Sequence, residues 1–251
     1  MKLVSLGAVA ALALIAAAPP SARAPVSPAI SAALADSARS AADKARDEKG
    51  HTGQILAFAG IKPGMKVADF MMGAGYWTHI LSPLVGPKGH VYGYQSAEFI
   101  KLRPAYGDEQ KAAVAGRANA SAVTTPWQDL AFPEPLDAVI TVQNYHDLHL
   151  SFSPADNALV TTRKIYSALK PGGLFLVIDH AANADPEFKA PNSLHRIDPM
   201  AARLEIERAG FRFVGSSPLL ANPADPKDKL VFDPSIRGKT DQFIFLFRKP
   251  K

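Results

Sequence analysis

Short apolar runs alternate with helical patterns through the middle of this chain, and no other feature restricts its fold as strongly. The runs fall at residues 66–70, 90–94, 121–124, 136–142 and 174–179. Helical patterns occupy 76–85, 98–115 and 154–169 between them, the last opened by Ser153 and Pro154. Strands joined through helices cross over right-handedly, so this order predicts a mostly parallel sheet covered on both faces. Asp198 and Pro199 cap a further helix, 200–209, which Gly210 closes. Residues 211–216 and 242–248 read as two closing strands. About 25 residues without helical period separate them, and a connection of that length in a compact domain is often a functional lid.

Upstream of the first strand the pattern is helical. Ser27 and Pro28 supply a cap and a first helical position, and Ile30, Leu34, Ala38, Ala41 and Ala45 share one face. Gly50 or Gly53 would stop this helix, and a second one, 54–59, ends at Gly60. Residues 1–24 differ in kind. Lys2 precedes an apolar run to Ala18, and the small residues Ala22 and Ala24 follow. That is the pattern of a secretory signal peptide, too short to span a bilayer comfortably. The expected organisation is a signal peptide at 1–24, a helical extension at 25–60 and an α/β domain at 61–251. The mature protein is expected in a periplasm, without stable membrane insertion after signal cleavage.

Charge and cysteine content exclude several classes of function. The chain of 251 residues has 28 Lys and Arg against 23 Asp and Glu, and Lys2 and Arg23 belong to the signal segment. This mild excess, with no basic run, is not a nucleic-acid footprint, and no nucleic-acid partner is expected. There is no cysteine, which excludes disulfides, thiolate metal sites and a lipid-modified cysteine.

The stretch VADFMMGAGYWT at 67–78 runs from an apolar strand through Asp69 into Gly73 and Gly75, then into a helix. Glycines there let backbone approach a ligand closely, and the helix start offers free N–H groups, at the strand ends where open α/β sheets bind ligands. A tight turn alone could also require them. The wider order is more specific: IKPGMKVADFMMGAGYWTHIL, GPKGHVYGY, LDAVITVQNYHDLH and ALKPGGLFLVIDH follow one another. Together they resemble the successive motifs of class I S-adenosylmethionine-dependent methyltransferases over roughly residues 50–250. NYHD, DHAA, LHRID and RGKTDQF further resemble predicted bacterial methyltransferases that carry signal peptides.

The resemblance implies a Rossmann-like class I methyltransferase fold: a mostly parallel seven-stranded sheet, helices on both faces and an antiparallel last strand. It implies S-adenosyl-L-methionine as cofactor and methyl transfer to an unidentified small-molecule acceptor. It places Asp69, Gly73, Gly75, Gln95 and Asn144 at the cofactor. Asp69 matches the acid ending the first strand, and Gly73 and Gly75 match the second and third glycines of the turn, whose first is replaced by Met71. Gln95 stands where the family carries a carboxylate for the ribose diol, with Glu98 as a substitute three residues on. The alternative is the same fold reused as a small-molecule-binding or metal-dependent protein without methyl transfer.

Polar residues cluster after the fourth and fifth runs: Gln143, Asn144, Tyr145, His146, Asp147 and His149, then Asp179 and His180, and later His195, Arg196 and Asp198. The topology sends these segments to one edge of the sheet. Three readings stand. His146 or His180 acts as a general base oriented by Asp147 or Asp179, with Tyr145 lining an acceptor pocket. Or a His/Asp set binds a divalent ion, although HDLH is not a zinc pattern, no HExxH occurs, and no metal ligands are assigned. Or the side chains pin loops. Tyr76 and Trp77 could flank an adenine or pack in the core. Arg237 and Lys239 could clamp an anion or remain solvated.

Overall fold

The computed structural model describes residues 25–251, and the expected signal segment lies outside them. Seven strands form one sheet: β1 (Lys66–Phe70), β2 (His90–Tyr94), β3 (Ala120–Val123), β4 (Leu136–Val142), β5 (Leu169–His180), β6 (Arg212–Ser217) and β7 (Gln242–Arg248). Their spatial order is β3-β2-β1-β4-β5-β7-β6, with β7 antiparallel to both neighbours and the other pairings parallel. The chain moves outward from β1 to β3 and then returns to β4 on the other side of β1. That reversal opens a crevice at the carboxyl ends of β1 and β4.

Local chemistry sets the helices. Before β1 come α1 (Pro28–Ala35), α2 (Ala41–Lys49) and α3 (Thr52–Ala59). Ser27 caps α1, accepting from the Ile30 N–H at 3.3 Å, and Ser40 starts a new helix by accepting from the Asp43 N–H at 3.0 Å. The single helix expected from Pro28 to Gly50 is thus two. Arg39 between them is buried, donating to the Leu34 carbonyl and to both oxygens of Asp47. After β1 come α4 (Tyr76–Val85), α5 (Ala97–Leu102), α6 (Ala105–Val114), α7 (Asn157–Ala168), α8 (Ala190–Leu194) and α9 (Pro199–Arg208). The helix expected over 98–115 breaks between α5 and α6, because Pro104 has no N–H and disfavours helical backbone at Arg103.

Period-two alternation divides the core. Val67, Ile140, Leu176, Ile178 and Ile244 pack with Ile30, Leu56, Phe58, Ile80 and Leu81 from α1, α3 and α4. Phe70, Val139, Phe175, Val177 and Phe247 pack on the other face with Trp127, Ile165, Ala202 and Ile206. Each fully buried Val, Leu, Ile or Phe among them contributes roughly 1.5–3 kcal/mol. The helical extension is therefore a packed layer of the sheet. Among the described residues no helix is long and apolar enough to cross a membrane.

Candidate active site

A crevice of about 550 Å³ lies at the carboxyl edge, walled by α2 and α3, by Tyr76 and Trp77, by Val142, Gln143 and Ile178, and by two stretches after β6. That volume suits a small ligand. Arg46, Lys49 and Lys239 are among its lining residues, which include no carboxylate.

The turn from β1 to α4 lies beside it. Met71 adopts φ 60°, a left-handed conformation that favours glycine, and its side chain is buried. A non-glycine residue pays roughly 1–2 kcal/mol there. Gly73 and Gly75 also have positive φ, for different reasons. A Cβ on Gly73 would meet nothing within 4 Å, so its open side is available to a ligand, whereas one on Gly75 would lie 2.3 Å from Ala113 Cβ. Gly75 permits α4 to pack against α6.

The predicted polar cofactor contacts are turned inward. Asp69 Oδ2 accepts from the Thr78 N–H at 2.9 Å and from the Thr78 hydroxyl at 2.8 Å. Burial still raises this carboxyl to about 6. Gln95 is buried, and its Oε1 accepts from the Gly73 N–H at 3.2 Å. Asn144 donates to the carbonyls of Met71 at 2.9 Å and Val142 at 2.7 Å, tying the turn to β4. Of the two candidates for a ribose, Gln95 is spent on the turn. Glu98 accepts from the Trp127 N–H with one oxygen and keeps Oε2 buried without a hydrogen-bond partner.

The histidine cluster forms where β4 and β5 end. Asp179 and His180 leave β5 on opposite faces, yet the His146 and His180 ring centroids are 6.3 Å apart. His146 Nδ1 donates to Asp179 Oδ1 at 2.8 Å, and its Nε2 lies 3.2 Å from His195 Nδ1 and 3.3 Å from Asp147 Oδ1. Burial works against charge on His146, but Asp179 and Asp147 outweigh it and raise the imidazole to about 9. Burial raises Asp147 to about 6 despite His146 beside it. His180 is lowered by burial to about 4 and is therefore neutral; its Nδ1 pairs with the Thr240 hydroxyl at 2.8 Å, on the crevice wall. Of the two histidines proposed as base, only His180 combines a neutral ring with contact to that wall.

Two expectations are corrected. Tyr145 does not line a pocket: it is fully buried, its hydroxyl donating to Glu205 at 2.9 Å and lying 3.1 Å from Thr162 Oγ1. His149 Nε2 shares that Glu205 carboxylate at 3.0 Å. The residues between β6 and β7 are not a detached lid either. Arg196 and Asp225, both fully buried side chains, form a two-pronged pair at 2.7 and 3.1 Å, and Arg196 also donates to the carbonyls of Ala181 and Lys229. Sequence reasoning missed Thr78, Thr240 and Asp225. Thr78 alone carried a signal, since one turn into α4 is where an acid at the strand end can reach.

The comparisons agree on architecture. No protein-family model matches the chain. Demethylmenaquinone methyltransferase of Staphylococcus aureus is 25% identical over 144 residues, 57% of this chain and 54% of that protein. The chain thus spans about half the length of the curated relatives it matches. A SAM-dependent methyltransferase from Aquifex aeolicus superposes with a TM-score of 0.54 at 21% identity, over 78% of this chain and 88% of that one. The cyclase SpnF superposes with a TM-score of 0.56 at 14% identity, over 82% of each chain. The fold is that of the class I methyltransferases: a seven-stranded sheet with an antiparallel β7 and helices on both faces.

Proposed function

We propose that the chain binds S-adenosyl-L-methionine at the β1–α4 turn and transfers its methyl group to a small acceptor in the adjoining crevice. The observation that carries this reading is the turn itself. Met71 keeps a left-handed backbone at a cost, and Gly73 leaves its side-chain position open, directly before a helix whose N-cap, Gly75, has no side chain and whose Thr78 N–H alone is taken by Asp69. The curated relatives are methyltransferases, which supports the same reading.

The residues present fit such a group. Gly73 would admit it, and the start of α4 would face its anionic end. The cofactor supplies an electrophilic methyl group on a sulfonium. Transfer of that kind depends mainly on alignment and exclusion of water, with a base needed only where the acceptor carries a proton. His180, hydrogen-bonded to Thr240 on the crevice wall, is the candidate to take that proton; burial lowers it to about 4, which keeps the ring neutral and makes it a weak base. Arg46, Lys49 and Lys239 favour an acceptor bearing a carboxylate or phosphate.

Incubation with methyl-labelled S-adenosylmethionine and a panel of small anionic acceptors tests this. Acceptor-dependent release of S-adenosylhomocysteine is the expected result. Cofactor binding with no release for any acceptor favours the fold acting as a binding protein. We further propose export of the mature chain. It rests on Lys2, the apolar run after it, Ala22 and Ala24, and N-terminal sequencing of protein made in a Gram-negative host, with a start between Ala18 and Ala32, is its check.

A further inference from the structure

We propose that His146 Nε2, Asp147 Oδ1 and His195 Nδ1 are the ligands of one divalent transition-metal ion of the zinc type. The three atoms converge: His146 to His195 is 3.2 Å, His146 to Asp147 is 3.3 Å, and His195 to Asp147 is 3.9 Å. Donors bound to one ion at about 2.0–2.2 Å stand roughly 3.0–3.5 Å apart, the cis spacing of octahedral and tetrahedral sites. The atoms are already close to that triangle.

Two further features separate this group from a chance polar cluster. The other ring nitrogen of His146 is fixed by Asp179, which is fully buried and also accepts the backbone N–H of His146 at 2.8 Å. A carboxylate holding the far nitrogen of a ligating histidine, so that the near one faces the ion, recurs in metal sites. The second feature is hydrogen-bond supply. Without an ion, the one N–H that Nε2 can offer is shared between two acceptors, Asp147 Oδ1 and His195 Nδ1. A cation satisfies all three atoms together.

Access and selectivity follow from the same geometry. His146 and Asp147 are buried at the base of the site, while the His195 side chain is 31% exposed, so the ion is reached from that side. Two imidazoles with one carboxylate suit Zn²⁺, Fe²⁺ or Co²⁺ better than Mg²⁺ or Ca²⁺. Three protein donors leave coordination positions open, as in catalytic rather than structural zinc sites. Those positions would take an oxygen donor, water or a small molecule. This inference stands apart from methyl transfer and does not require it.

The test is calorimetric titration of the chelator-treated full chain with Zn²⁺, paired with the visible absorption of bound Co²⁺. One saturable equivalent is expected. His195→Ala, at a partly exposed position, should keep its far-UV CD and melting temperature and weaken Zn²⁺ at least 100-fold. Asp179→Asn should weaken it about 10–100-fold, the range for partners of ligating histidines. His149→Ala should leave affinity within about threefold, because the His149 ring is taken by Glu205. No saturable Zn²⁺ binding overturns the proposal. So does binding that His195→Ala leaves unchanged, or binding that His149→Ala abolishes.

Discussion

His146 Nδ1 lies 2.8 Å from Asp179 Oδ1, and the same carboxylate accepts the backbone N–H groups of His146 at 2.8 Å and His180 at 2.7 Å. One buried acid thus ends β5, holds the turn after β4 and aims an imidazole. Asp179→Ala would strand those donors and leave His146 without its partner. Breaking a buried pair from one side costs about 3–5 kcal/mol, so urea unfolding should show a loss of that size. A loss below about 1 kcal/mol would mean the carboxylate is not the anchor described.

Arg196 and Asp225 tie the segment before α9 to the connection between β6 and β7. Arg196→Ala should destabilise by about 3–5 kcal/mol, and the Arg196→Ala/Asp225→Ala double variant by much less than the sum of the singles. Additive losses in a double-mutant cycle would show that the pair does not act as a unit.

Met71 gives a conformational test that cancels its side chain. Met71→Gly and Met71→Ala both remove the buried thioether, but only glycine accepts φ 60° without strain. The glycine variant should be the more stable by about 1–2 kcal/mol, the reverse of their order in ordinary backbone. Equal stabilities would place residue 71 in a different backbone conformation.

Asp69 predicts a pH dependence. Its carboxyl is raised by burial from 3.8 to about 6, so between those values the folded chain holds a proton that the unfolded chain has released. The stability this contributes is full below about pH 4, declines as pH rises through 6 and is absent above. At about 1.4 kcal/mol per pKa unit it amounts to roughly 3 kcal/mol. Asp69→Asn lacks this dependence, so it should gain on the wild type as pH rises from about 4.5 to 6.5. A difference between the two that stays flat over that window would contradict the assignment.

Most of the sheet was legible in the sequence because its strands are apolar runs bounded by polar or turn-forming residues. The runs at 66–70, 90–94, 136–142 and 242–248 coincide with β1, β2, β4 and β7. Helix interruptions were less legible, since apolar periodicity continues across Ser40 and Pro104 while capping and the missing N–H break the helix. Topology brought His146, His180 and His195 together. The hydrogen-bond partners did not follow, because Glu205 lies 60 residues from Tyr145 and Asp225 lies 29 from Arg196, distances over which residue spacing carries no information. Gln95 shows the opposite error. Its place at the end of β2 suggested a ligand, but a buried amide satisfies itself on the nearest free donor, the Gly73 N–H.

The central claim is that the β1–α4 turn receives S-adenosylmethionine, and calorimetry of the mature chain tests it most directly. Saturable binding of one equivalent is predicted. Gly73→Val should abolish it while leaving far-UV CD nearly unchanged, because the added side chain enters the open space beside the turn and strains its backbone at φ 54°. No saturable binding at millimolar ligand, or binding that Gly73→Val leaves intact, would contradict the account.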